Sequence, residues 1–233
     1  MPLLNIGTNV KLGKKIASYS RPVGPTCPSD CPFLTGKLPT GEEIPKGQRC
    51  YAESIEKRYK NVRDNWAKNR NAVWPQWQGA FLAETRKAAK KVVAIRIHVG
   101  GDWVEKDEVD RPYLAAMLGV LRQARREGIT IPFWYYTHAW RKMGRHKKYL
   151  KKLGVHGFAS VHCEADAKEA AANGWRLAID PGKAEKQRGF KEIYTVRSLG
   201  CPEQTTDGAV DCSKCGYCFK DGPGKGNVTF FRH

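Results

Sequence analysis

This sequence lacks long apolar runs and has few acidic residues. No stretch of about 18 apolar residues is present, and a membrane-spanning helix needs one. The first residues, MPLLNIGTNVKLGKK, lack the apolar core of a signal peptide, so we expect a cytoplasmic protein with reduced thiols and no membrane partner. Only 23 Asp and Glu residues stand against 41 Lys and Arg, which gives a formal net charge of +18. A surplus of this size is typical of proteins that bind a polyanion, and we expect nucleic acid to be the partner.

Cysteine, by contrast, is plentiful and unevenly placed. The eight cysteines form two groups and one outlier. The C-terminal group is Cys201, Cys212, Cys215 and Cys218, the N-terminal group is Cys27, Cys31 and Cys50, and the outlier is Cys163. Thiolates spaced by three residues on a turning backbone can converge on one metal ion or cluster. Disulfides are the alternative for an even count, but a cytoplasmic chain keeps its thiols reduced, so we predict two metal centres.

Alternating helix-like and strand-like segments predict an α/β fold. The apolar segments KVVAIRIHV, TIPFWYYTHAW, GFASVHC and WRLAID are typical of buried strands, and FKEIYTV predicts one more. Helical patterns lie between them, and a further pattern predicts one long helix over residues 51–71. We therefore expect a small or partial α/β barrel, or an open wound sheet, largely parallel and spanning residues 1–200. Residues 1–50 read as irregular, and residues 201–233 are predicted to form a cysteine-rich metal-binding tail.

The site of such a fold lies at the carboxyl ends of its strands. The residues at these positions are rich in His, Asp and Glu. They are Gly100, Gly101, Asp102 and Trp103; Thr137, His138 and Trp140; His162, Cys163, Glu164 and Asp166; and Asp180. From this set we predict catalytic roles for Asp102, His138 and Asp166, because carboxylates and imidazoles act as general acids and bases.

Basic residues are densest directly after the aromatic strand, in the segment WRKMGRHKKYLKK. Cations beside aromatic rings can contact phosphates while the rings stack on bases. We predict phosphate contacts for Arg141, Arg145, Lys147 and Lys148, and base stacking for Tyr136 or Trp140. A buried strand followed by a solvated helix is the alternative interpretation of the same segment.

The pattern of CxxxC, then CYA, then a strand ending in GGD resembles the radical S-adenosylmethionine enzymes. In that superfamily three cysteines, usually CxxxCxxC, bind a [4Fe–4S] cluster, and a GGE-type turn holds the amino group of the nucleotide cofactor. The resemblance implies that Cys27, Cys31 and Cys50 bind such a cluster. It also implies that Gly100, Gly101 and Asp102 bind S-adenosylmethionine, and that the C-terminal cysteines bind an auxiliary cluster. The chain departs from the superfamily because 18 residues separate Cys31 from Cys50 where two are usual, and this insert has the composition of an exposed loop.

A second resemblance covers nearly the whole chain. The succession of CP..CP, a loop, CYA, a GD turn, a YT..W strand and a CxxCxxC tail resembles a group of uncharacterised cysteine-rich bacteriophage proteins. It implies the host cytoplasm as the location and brings no activity with it.

These observations together predict a metal-cluster-dependent enzyme that modifies nucleic acid or a nucleotide by radical S-adenosylmethionine chemistry. Zinc at the N-terminal cysteines, with a fourth ligand such as a histidine, is an alternative. Another is a zinc-containing, base-exchanging transglycosylase with Asp102 and either Asp166 or Asp180 as the acid pair, and with Cys201 or His233 completing the zinc site. A third is a non-enzymatic, metal-stabilised nucleic-acid-binding phage protein. Histidines and carboxylates at the strand ends favour an enzyme over this third interpretation.

Overall fold

A sheet of nine mostly parallel strands organises the chain. The computed structural model describes residues 2–7, 9–182, 188–220 and 226–231. The strands of the sheet are β1 (Asn5–Ile6), β2 (Ile16–Tyr19), β3 (Ala94–Ile97), β6 (Phe133–Thr137), β7 (Val155–Val161), β8 (Arg176–Ile179), β9 (Phe190–Ile193), β10 (Val196–Gly200) and β11 (Asn227–Thr229), while β4 (Val104–Glu105) and β5 (Glu108–Val109) form a separate pair. The helices are α1 (Pro32–Thr35), α2 (Tyr51–Arg58), α3 (Lys60–Arg70), α4 (Trp74–Ala88), α5 (Arg111–Arg126), α6 (Trp140–Lys152), α7 (Glu164–Ala172), α8 (Pro202–Thr205) and α9 (Cys212–Cys215), with a 3-10 turn at Lys46–Gln48.

The strand order is β1-β2-β3-β6-β7-β8-β11-β10-β9. Neighbours from β2 to β10 run parallel, and only the outermost strands β1 and β9 are antiparallel to the strands beside them. The predicted α/β class with a largely parallel sheet is therefore confirmed. No pairing joins β1 to β9 within the described ranges, so the sheet is open and the predicted barrel is not confirmed. Strand β11, from the predicted tail, pairs between β8 and β10.

Three local predictions differ from the structure. Residues 51–71 form two helices, because Tyr59 adopts an extended conformation between α2 and α3. The segment predicted as one strand is a hairpin of β9 and β10, turned at Tyr194 and Thr195, which both have positive φ. The N-terminal stretch, predicted to be irregular, supplies β1 and β2, and β2 pairs with β3 in parallel.

The helix α5 shows how the sequence selects an element and its buried face. Asp110 caps its first turn by accepting a hydrogen bond from the backbone N–H of Tyr113 at 3.0 Å. Gly128, with φ of +75°, follows its last turn. The buried side chains of α5 recur at intervals of three and four residues, as a helix with one core-facing side requires. They are Tyr113, Leu114, Ala116, Met117, Val120, Leu121 and Ala124.

The two faces of the sheet have different neighbours, because successive side chains of a strand point to opposite sides. On β6, Phe133 and Tyr135 belong to the main core, which includes buried residues of helices α4 to α7. Trp134 and Tyr136 point to the other face, where Trp134 packs against Phe219 of the C-terminal segment. Helices α4 to α7 therefore cover one face, and the C-terminal segment covers part of the face that carries the aromatic side chains.

Candidate functional site

Two adjoining cavities lie at the carboxyl edge of the sheet and on its aromatic face. The smaller one has a volume of about 130 Å³ and the larger one about 640 Å³. Arg96, Tyr136 and His138 line both cavities. Parallel strands end at one edge, which is why residues that are distant in sequence meet there.

The three N-terminal cysteines all line the smaller cavity. Cys27 and Cys31 lie on the loop after β2, and Cys50 precedes α2, where its sulfur accepts a hydrogen bond from the N–H of Glu53 at 3.4 Å. Gly100, Gly101, Asp102 and His138 line the same cavity. The structure thus brings together the cysteines of the N-terminal group and the glycine turn, although 18 residues separate Cys31 from Cys50.

Burial governs the protonation of these thiols. It raises the pKa of Cys31 and of Cys50 to about 11. Burial, with a further contribution from the Asp102 carboxylate, raises the pKa of Cys27 still more. A bound metal cation reverses this preference, because coordination removes the thiol proton. Three thiols on one cavity are a donor set that suits an iron–sulfur cluster or zinc. Across the part of the chain that the structure describes, however, no three His, Cys, Asp or Glu side chains already stand in a metal-binding arrangement.

Gly100 and Gly101 let the turn after β3 pack closely against its surroundings. A Cβ atom at Gly100 would lie 2.4 Å from the ring of Trp66, and one at Gly101 would lie 2.4 Å from Oγ1 of Thr26. Gly101 also has a φ of +73°, which side-chain-bearing residues rarely adopt. Close packing against Trp66 of α3 and against the loop that carries Cys27 accounts for Gly100 and Gly101 within the protein itself, and cofactor binding by them stays a prediction.

The carboxylate of Asp102 joins the end of β3 to the start of α6. It accepts hydrogen bonds from Oγ1 of Thr137 at 2.7 Å and from the backbone N–H groups of Trp103, His138 and Ala139 at 2.8, 2.9 and 3.3 Å. Burial raises the pKa of Asp102, and the hydrogen bonds from Thr137 and the backbone oppose this. Asp102 thus acts first as a structural acceptor, and its predicted catalytic and cofactor-binding roles stay predictions.

A second carboxylate supports a pair of histidines whose rings meet edge to edge. The Nε2 atoms of His138 and His162 lie 3.0 Å apart, and their rings are parallel. Nδ1 of His162 lies 3.4 Å from Oδ2 of Asp180, and the ring of Phe33 packs edge-on against both imidazoles. Burial lowers the pKa of His138, while Asp102, Asp180 and another aspartate, Asp30, oppose the shift. An imidazole pair backed by a carboxylate can pass a proton between the cavity and Asp180.

The four C-terminal cysteines line the larger cavity. Cys201 follows β10, Cys212 and Cys215 belong to α9, and Cys218 accepts a hydrogen bond from the hydroxyl of Tyr136 at 3.0 Å. Burial raises the pKa of Cys212 and of Cys218 to about 12 and also raises that of Cys201. All four thiols lie in the lining of one cavity, but their metal binding stays a prediction. His233, the alternative fourth ligand, lies outside the described residues.

Trp140, Arg141 and Asp166 lie away from the cavities. Arg141 forms ion pairs with Asp166 at 2.7 Å and with Glu169 at 2.6 Å, and neither cavity has Asp166 among its lining residues. Trp140 is 3% exposed, and the guanidinium of Arg141 lies 4.0 Å from the centre of its ring. A buried indole does not face solvent, where a base would stack. The two ion pairs described above already neutralise the charge of Arg141.

The other cations of α6 differ in their surroundings. The ammonium of Lys147 lies 4.8 Å from the centre of the Trp175 ring and also donates to a backbone carbonyl. Arg145 and Lys148 are exposed. Tyr136, the other predicted stacking residue, lies in the walls of both cavities rather than on the outer surface.

Three cavity residues had no role in the main sequence-based prediction, and of these Asp180 entered only as an alternative member of an acid pair. His162 and Asp180 follow predicted strands, so their positions were a usable signal. Arg96 was also visible, as a charged residue inside the apolar run KVVAIRIHV. A cation inside a buried strand needs either a partner or a ligand.

Comparison with known proteins gives a family and no activity. A family model described as Gene product 88 matches residues 3–221. The chain belongs to the Gene product 88 family. This is a phage-type family, which agrees with the second resemblance, and the matched segment includes all eight cysteines. No curated protein and no solved structure matched the chain. Among the residues described here, none of the helices is both long enough and apolar enough to cross a membrane.

Proposed function

We propose that the protein is a metal-cluster-dependent enzyme that modifies a nucleotide or nucleic acid, and that Cys27, Cys31 and Cys50 bind its iron–sulfur cluster. The observation that carries this proposal is the convergence of the three cysteines on one cavity beside the turn at Gly100–Asp102. Helices on one face of a parallel sheet and a cavity on the other also suit the partial barrel of the radical S-adenosylmethionine enzymes.

The chemistry would divide between the bound group and the chain. A cluster held by the three cysteines would supply the electron that reductively cleaves S-adenosylmethionine. His138, supported by His162 and Asp180, would move a proton at the junction of the two cavities. Asp102 would keep His138 in position, since it accepts a hydrogen bond from the backbone N–H of that residue.

The test is the metal content of protein purified without oxygen. We expect a brown protein containing iron and sulfide. Serine in place of Cys27, Cys31 or Cys50 should remove the iron of the N-terminal site and leave any metal at the C-terminal cysteines. Cys163→Ser is the matched control, because Cys163 lines neither cavity. A colourless protein that contains only zinc would contradict the proposal, and so would serine variants that retain all of the iron.

Nucleic-acid binding is the second part of the proposal, and the net charge of +18 supports it. Arg145 and Lys148 are exposed on α6, so we expect the double variant Arg145→Glu/Lys148→Glu to bind single-stranded DNA or RNA more weakly at every sequence. The slope of log affinity against log salt concentration should become shallower by about 0.7 for each phosphate that the variant no longer neutralises. Filter binding at several salt concentrations measures both effects.

The matched control for this double variant changes the same net charge elsewhere. Lys57→Glu/Lys60→Glu alters two lysines whose side chains are 74% and 80% exposed, on helices α2 and α3. Equal losses of affinity in the two double variants would mean that only the total charge matters and that α6 is not the binding surface.

A further inference from the structure

Arg96 is a cation in the cavity walls with no anionic partner among the described residues. It lies on β3 and points to the aromatic face of the sheet, where its guanidinium carbon is 4.9 Å from the centre of the Tyr136 ring. Its Nε atom is buried and has no hydrogen-bond partner. Within the described residues, no carboxylate oxygen lies within 4.0 Å of its guanidinium. Arg96 is half-buried, so its guanidinium has lost part of the water that would otherwise solvate the charge, and an anion in the cavity would replace that water as a partner.

Three acidic residues line the larger cavity, namely Asp180, Glu203 and Asp211, and the first and last of them are engaged elsewhere. Asp180 faces His162 and also accepts a hydrogen bond from the N–H of Gly182 at 2.9 Å. Asp211 caps α9 through the N–H of Lys214 at 3.0 Å. Asp180 and Asp211 are thus held by other elements, and Glu203 forms no ion pair with Arg96 among the described residues, which leaves the guanidinium of Arg96 to a ligand.

The rest of the larger cavity suits a planar organic group. Its lining is mainly apolar and includes several aromatic side chains. They are Phe33, Tyr51, Trp134, Tyr136, Phe219 and Phe230. A volume of about 640 Å³ lies within the range of sites that bind small molecules and cofactors. Aromatic walls hold a nucleobase by stacking, and a guanidinium binds a phosphate through two parallel hydrogen bonds.

We propose that the larger cavity binds a nucleotide, with the phosphate paired to Arg96 and the base among the aromatic side chains. The choice of a nucleotide among aromatic anions rests on the proposed function, whereas the anion site itself rests on Arg96. The nucleotide is either free or one residue of a strand turned out of its stack, since both present the same base and phosphate. His138 lines the same cavity, so the bound nucleotide lies beside the histidine pair.

Equilibrium dialysis of the purified full chain against adenosine 5′-monophosphate tests this assignment. Adenosine and inorganic phosphate serve as the two partial ligands, and a short single-stranded oligoadenylate tests the strand-bound source. We expect the monophosphate or the oligonucleotide to bind more tightly than either partial ligand. Arg96→Met should weaken this binding roughly 10- to 100-fold and leave adenosine binding unchanged, because the variant removes the charge-assisted hydrogen bonds to the phosphate. Arg96→Lys should recover part of the affinity, since an ammonium keeps the charge without the planar fork.

Arg122→Met is the matched control, because Arg122 is exposed on α5, which packs on the other face of the sheet. An equal decrease of affinity in this variant would overturn the assignment, since the binding would then follow net charge. Absence of binding for both nucleotide probes would overturn it too. So would an Arg96→Met variant that loses metal from the C-terminal cysteines while binding the nucleotide normally, because Arg96 would then serve the thiolates.

The two proposals fail separately in this experiment. Protein that contains iron at the N-terminal cysteines but binds no nucleotide keeps the proposed function and loses the cavity assignment. Protein without iron that binds the nucleotide through Arg96 keeps the cavity assignment and loses the radical mechanism.

Discussion

Replacing Asp102 by alanine should lower the free energy of unfolding by about 3 kcal/mol or more. The carboxylate is 2% exposed and accepts hydrogen bonds from the hydroxyl of Thr137 and from three backbone N–H groups. Removing it leaves several buried donors without an acceptor, and each such group costs roughly 1–3 kcal/mol. Urea denaturation measures the effect as a lower midpoint with an unchanged slope.

Thr137→Val separates the contribution of the whole Asp102 carboxylate to stability from that of its hydrogen bond with Thr137. This variant keeps the side-chain shape and removes a hydroxyl that donates to Asp102 and accepts from the N–H of Ala139 at 2.9 Å, so its stability should fall by about 1–2 kcal/mol, below the effect of Asp102→Ala. An alanine variant as stable as the native protein would contradict the structural role. The carboxylate would then be available to a ligand, as the GGE-type resemblance implies.

The central α/β units were predictable because their signals are local. Strands β3, β6, β7 and β8 are apolar runs. The helices α5, α6 and α7, which connect each of these strands to the next, have recognisable periodicity. The β2 strand was not predicted, because it is only four residues long and pairs with a strand more than 70 residues away in the sequence. The turn between β9 and β10 was not predicted, because Tyr194 and Thr195 adopt left-handed backbone conformations and no glycine marks the turn in the sequence.

The candidate site was predictable as a set of strand ends and not as a set of contacts. Sequence placed Asp102 and His138 at one edge of the sheet, but the hydrogen bond from Thr137 to Asp102 joins residues 35 apart. The convergence of Cys31 and Cys50 depends on where a loop returns, which composition does not specify. The same limit applies to charge, because Arg96 and Arg141 look alike in sequence. Among the described residues, Arg96 lies in the cavity walls without a carboxylate partner, whereas Arg141 forms ion pairs with two carboxylates.

Arg21→Met should have the second large effect on stability, a decrease of roughly 3–5 kcal/mol in the free energy of unfolding. The Arg21 side chain is 1% exposed, and its Nη2 lies 2.6 Å from Oδ2 of Asp110 and 3.7 Å from Oε2 of Glu105. Its guanidinium also lies 4.3 Å from the centre of the Tyr113 ring. Removing the cation leaves the largely buried Asp110 carboxylate without its counter-charge. Urea denaturation again gives the magnitude.

A double-mutant cycle identifies the cause of that decrease. Arg21→Met/Asp110→Asn should recover part of the stability, because the uncompensated carboxylate is removed together with its partner, while the asparagine still caps α5. The same variants should affect the candidate metal site, since Nη1 of Arg21 donates to the backbone carbonyl of Asp102 at 3.4 Å, and Asp102 lines the smaller cavity together with Cys27. Alkylation of Cys27 should therefore become faster in Arg21→Met than in the native protein. Unchanged alkylation together with native stability would mean that the loop carrying Cys27 is held by other contacts.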